Sequence, residues 1–120
     1  MGNPVIHWQI VSRKPDELVS FYTKLFGWTV SANNALGYRM LSTGAGRGID
    51  GGVWPAPPEA HAFVQLHVEV SDIADYVARA TELGARVIIP AQPLPEGGHM
   101  AVLCDPDGVP FVLFQPVAAA

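Results

Sequence analysis

The 120-residue chain is 49% hydrophobic and 15% charged, with seven basic against eleven acidic side chains and a net charge of -4. That length buries a core without metal or disulfide, and the composition excludes a disordered chain. An acidic balance without clustered Lys and Arg excludes a nucleic-acid surface, and no apolar run approaches the roughly 20 residues of a membrane helix.

The first predicted strand is VIHWQIVS, from Val5, with Ile6, Trp8 and Ile10 alternating against His7 and Gln9. A helix follows at once. Pro15 sits in its first turn, Asp16 and Glu17 suit the positive end of its dipole, and Leu18, Val19, Tyr22, Leu25 and Phe26 recur at helical spacing. Gly27 is placed for a left-handed cap. Short β-rich runs come next, Trp28–Ser31 and Tyr38–Leu41, and then a strand, turn and strand over Leu41–Ile49 that leads into Asp50. Gly44, Gly46 and Gly48 do not carry a buried strand into a helix, so a phosphate loop is excluded.

The Pro-rich stretch from Trp54 to His61 reads as a linker, and beyond it the order repeats. Residues 63–83 lie over 5–25 without a gap, setting Val64, Leu66 and Val68 against Gln65 and His67. Ser71 is the expected N-cap of the second helix, Asp72 and Asp75 its acidic start, and Gly84 its terminator. Strand runs Arg86–Ile89 and Met100–Leu103 follow, and Leu103–Phe111 lies over Leu41–Ile49 with a strong turn signal, DPDG, at 105–108. Identities between the copies are few (Val19 with Val77, Thr23 with Thr81, Leu25 with Leu83), so the order of elements carries the duplication. The expected fold is α+β, a single domain over 1–120: a β-α-β-β-β module over about 4–54, a linker over about 55–61 and a second module over about 62–116. The lone Cys104 forms no internal disulfide, and the opening MGNPVIHWQIVSRKP has no charged start before a long apolar core; together they point to the cytoplasm.

The stretch HWQIVSRKPDELVSFYTKLFGW resembles the opening of vicinal-oxygen-chelate (VOC) proteins, the glyoxalase/bleomycin-resistance/dioxygenase superfamily. AVLCDPDGVPFVLFQ resembles their last hairpin, and GRGIDGGVWPAP the end of the first module in a glyoxalase-related subgroup. The resemblance implies a cup-shaped mixed sheet, a cavity between two modules and frequent pairing as homodimers. It also implies metal ligands on the first and last strand of each module. The matching positions are His7 and Gln65 on the first strands, Asp50 and Val112 on the last. Valine has no donor and glutamine is a weak neutral one, so the family's full set is broken and no cofactor is expected. The alternative is a divalent metal at a degenerate site including His7, with Asp50 and His67 as helpers.

Strand parity gives the expected ligand-binding face as His7, Gln9, Asp50, Trp54, Gln65, His67, Val112 and Phe114. Trp54 and Phe114 suit stacking on a planar ligand, and His7, Gln9 and His67 suit hydrogen bonding. Each also has a plainer reading: polar residues on the wetter face of a strand, aromatics in core packing, Asp50 at a turn edge. His61 belongs to the linker, His99 to an exposed hairpin, and Cys104 reads as a small core residue. Two functions compete. One is a protein that binds a small organic molecule, as the bleomycin-resistance branch does; it has no nucleic-acid or membrane partner, and the broken ligand set favours it. The other is a glyoxalase-like lyase or isomerase, a dioxygenase, or an enzyme using His7 or His67 as general acid–base, with no catalytic residue assigned.

Overall fold

The computed structural model describes residues 2–117, and its elements follow the doubled order. Strand β1 (Val5–Ser12) runs into helix α1 (Pro15–Phe26), followed by β2 (Thr29–Ser31), β3 (Arg39–Ser42) and β4 (Gly51–Pro55). The second copy is β5 (Phe63–Glu69), α2 (Ile73–Glu82), β6 (Arg86–Pro93), β7 (His99–Cys104) and β8 (Pro110–Gln115). The α+β class and the two β-α-β-β-β modules stand. Among the described residues no helix is long and apolar enough to cross a membrane.

In the first module the strand order is β2-β3-β4-β1, with β4 parallel to β1 and the other neighbours antiparallel. Helix α1 starts at its proline, carries Asp16 and Glu17 in its first turn and Lys24 in its last, and ends at Gly27. Gly27 has φ +72°, and its N–H bonds Thr23 O, the closure that a β-carbon would strain. The helix covers one sheet face. Val19, Leu41 and Val53 are buried there, with Trp8, Ile10, Leu18 and Trp28 packed around them. Trp28 stacks on Tyr22, ring centroids 5.5 Å apart, and lies 5.4 Å from Trp8.

The second module repeats this as β5-β8-β7-β6, with β5 and β8 parallel. Its core is Val70, Ile73, Ala101, Leu103 and Leu113, under α2 residues Tyr76, Val77 and Ala80. The N-cap of α2 is Asp72, one residue later than expected from Ser71: the Asp72 carboxylate accepts from Asp75 N–H. The DPDG turn forms as expected, with Asp105 Oδ1 accepting from Asp107 N–H and Val109 N–H and Gly108 at φ +86°. Alternation on β5 does not sort residues as simple amphipathicity predicts. Val64 and Leu66 are 59% and 49% exposed, whereas Gln65 is 5% exposed.

The chain separates into two compact units: one is His7–Gln65, and the other joins Leu66 onward to the residues up to Ile6. The N-terminal arm is tied within that second unit. Glu69 N–H donates to Pro4 O, Asn3 Nδ2 to Glu69 O, and Tyr76 Oη to Asn3 Oδ1.

Candidate functional site

Register decides which residues share the sheet face opposite each helix. On the first module Gln9 stands beside Gly52 and Val11 beside Trp54. On the second, His67 stands beside Val112 and Glu69 beside Phe114. Neighbours across parallel strands point to the same side, and residues two apart along a strand share a face. His7, Gln9 and Trp54 therefore share one face, and Gln65, His67, Val112 and Phe114 share the corresponding face of the second module. Gln9 and His67 are the same position of the repeated first strand, so the counterpart of Val112 is Gly52. This corrects the placement of Asp50 on the fourth strand. Asp50 precedes β4, is exposed, and closes the glycine-rich loop by accepting from Thr43 N–H at 3.0 Å.

The polar groups of the first module converge on a residue that strand patterning did not single out, Tyr38. Its Oη donates to Gln9 Oε1 at 2.9 Å and lies 3.1 Å from His7 Nε2. The ring is tilted against Trp54 and His7, with centroids 5.9 and 6.0 Å away. Asn34 clamps its backbone on both sides: Oδ1 accepts from Tyr38 N–H at 2.8 Å, and Nδ2 donates to Tyr38 O at 2.7 Å. Two adjacent glycines on β4 make the room. A β-carbon on Gly51 would collide with the Trp8 indole, and one on Gly52 with the Tyr38 phenol. Paired glycines inside a strand signal a close approach, and that was the sequence signal available for Tyr38.

Burial sets the charge of these groups. Desolvation lowers the His7 pKa from its usual 6.5, against the opposing pull of the Asp50 carboxylate. It raises the Tyr38 phenol well above its usual 10.0, so the hydroxyl stays protonated. Gln9 is 9% exposed and Trp54 38%, which leaves the indole accessible beside a sheltered hydrogen-bond network. On the second module Gln65 is buried and its Oε1 has no hydrogen-bond partner among the described residues, Val112 is buried, and His67 and Phe114 are half-buried. His61 and His99 are exposed and Cys104 is buried, as expected.

The family's metal chemistry does not fit these residues. The two fourth-strand positions are Gly52 and Val112, neither of which has a donor, and His7 Nε2 lies against the Tyr38 hydroxyl. Among the described residues no cluster of three or more His, Cys, Asp or Glu side chains could hold an ion. A cleft of about 630 Å³ lies elsewhere in the first module, at the start of α1. It is lined by Arg13, Lys14, Phe21 and Tyr22 among others, and by none of the eight residues expected from parity.

Comparison with known proteins adds three findings. A family model described as "Glyoxalase-like domain" matches residues 8–114. The protein named "Putative glyoxylase CFP32" of Mycobacterium bovis is 31% identical over 111 residues, which cover 90% of this chain and 42% of that protein. The chain thus spans about two fifths of the length of that relative. Among solved structures, the hypothetical protein BH1468 from Bacillus halodurans superposes with a TM-score of 0.71 at 15% identity, covering 100% of this chain and 99% of its own. Methylmalonyl-CoA epimerase from Mycobacterium tuberculosis superposes with 0.65 at 19% identity, covering 95% and 88%. At those identities the structural likeness shows the fold alone.

Proposed function

The chain belongs to the glyoxalase-like family of the vicinal-oxygen-chelate superfamily, and from that premise we propose that it binds a small, planar, non-anionic organic molecule without a metal. The binding face is the side of the first module's sheet opposite α1. Trp54 is the stacking wall, and Tyr38, His7 and Gln9 are the polar groups that orient the ligand.

The observation that carries this reading is the sheltered, uncharged His7–Tyr38–Gln9 network beside an accessible indole. An aromatic wall with a few convergent polar groups is the composition of a small-molecule site. Arg39 is engaged by Asp16 of α1 at 3.0 Å, whereas the Asp50 carboxylate, bonded to the Thr43 backbone, still acts on His7. An anion entering this face would lose water and meet the field of the Asp50 carboxylate in place of a counter-charge, which penalises anionic ligands.

Titration of tryptophan fluorescence with benzamide and with benzoate tests the reading. Saturable quenching by benzamide, weaker with benzoate and abolished in Trp54→Phe, is the expected result. Quenching that survives in Trp54→Phe, or a preference for benzoate, refutes it. One observation favours a second reading, in which His7 acts as a general base on the bound molecule: burial favours the neutral, proton-accepting imidazole at pH 7.

A further inference from the structure

We infer that Tyr38 is the positioning residue of this site, holding His7 as the neutral tautomer that carries its proton on Nε2, in the room left by Gly52. This deepens the ligand-binding reading, on which its functional meaning rests, but the hydrogen-bond order it describes exists without a ligand.

A phenol has one proton to donate, and a glutamine carbonyl oxygen can only accept. The Tyr38 proton points to Gln9 Oε1 at 2.9 Å, so at the 3.1 Å contact with His7 Nε2 the phenol oxygen is the acceptor and the imidazole the donor. Because burial disfavours the imidazolium, the neutral ring carries that proton on Nε2 and keeps its lone pair on Nδ1. The order runs in one direction, His7 to Tyr38 to Gln9. Reversing it requires the buried Gln9 amide to turn over and present its NH2 group to the phenol.

The scaffold around Tyr38 is built for that placement. Asn34 fixes its backbone through two hydrogen bonds, and Trp54 backs its ring. Gly52 is not at a positive φ, so its backbone would accept a side chain; what excludes one is the phenol. The equivalent position of the second module, Val112, carries a buried side chain, so the duplication has been differentiated at this point. In the first module a phenol from β3's leading edge takes the space that a side chain on β4 takes in the second.

Multiple-bond ¹H–¹⁵N correlation spectra of the uniformly labelled full chain at pH 7.5 test this, with His7→Gln identifying the His7 signals. The wild type is expected to show the Nε2–H form of His7. Tyr38→Phe, which keeps the ring and removes the hydroxyl, is expected to shift His7 away from the Nε2–H form. Gly52→Ala, which expels the phenol, is expected to match it; if that variant does not fold, Tyr38→Phe decides the matter alone. An Nδ1–H ring in the wild type means that the Gln9 amide donates to the phenol and the phenol to His7, and overturns the inference. So does an unchanged His7 spectrum in Tyr38→Phe. Failure of benzamide to bind while the Nε2–H form persists counts against the ligand reading and leaves the positioning role standing.

Discussion

Replacing Gly52 with alanine adds one methyl group to a buried strand, and the structure sets what that group meets. The backbone there is not left-handed, so alanine is conformationally acceptable and even recovers about 0.5–1 kcal/mol relative to glycine in a strand. The cost lies in space, because the methyl would sit inside the Tyr38 phenol. If the ring is driven out, the buried Gln9 carbonyl loses its donor, at about 1–3 kcal/mol, and overpacking adds about 1–3 kcal/mol. A net destabilisation of about 1–5 kcal/mol is expected, against the roughly 5–15 kcal/mol that holds a typical domain folded. Urea unfolding followed by circular dichroism gives the number. The decisive measurement is the double-mutant cycle with Tyr38→Ala, in which the methyl has somewhere to go and Gly52→Ala should cost less than about 0.5 kcal/mol. If Gly52→Ala costs the same with and without the phenol, the reasoning is wrong and Gly52 is buried for another purpose.

Two further outcomes follow from the same structure. Asp72→Ala should lower stability by about 0.5–2 kcal/mol through loss of the α2 cap, while Ser71→Ala should stay within about 0.5 kcal/mol; thermal melts of the pair separate the two assignments of the N-cap. His7 has a folded-state pKa below its unfolded value of about 6.5, so the unfolded chain binds the proton first on acidification. Its contribution to stability is therefore complete above about pH 6.5 and is lost as pH falls from there through the lowered folded pKa. Unfolding free energies measured across that window should rise with pH in the wild type and rise less steeply in His7→Gln. An identical slope in the two proteins would refute the assigned burial of His7.

Much of the fold is legible in the sequence because local rules agree along the chain. Pro15 with Asp16 and Glu17 opens α1, Gly27 closes it, and DPDG makes the turn between β7 and β8, each through forces acting within a few residues. The face carrying His7, Gln9 and Trp54 followed from period-two alternation, which parallel register preserves. Asp50 was misplaced because sliding one copy over the other counts residues and not hydrogen bonds. The first module's glycine-rich loop and the DPDG turn differ in length by two residues, a shift that keeps parity and so leaves no trace in the pattern. Ser71 and Asp72 compete in the sequence as caps of α2 because serine and aspartate both cap well, and only the carboxylate's reach to Asp75 N–H separates them.

The sequence by itself determined the doubled β-α-β-β-β order, the helix boundaries to within a residue or two, and the lack of a metal donor at Val112. Those depend on periodicity, capping and donor chemistry, which are properties of short stretches. Only the tertiary structure decided what stands in the gap. Tyr38 reaches His7 and Gln9 across some thirty positions of chain, and it can do so because Gly52, a further stretch away, has no side chain. Such an arrangement is a matter of volume shared among three strands, and no pairwise reading of spacing or propensity contains it.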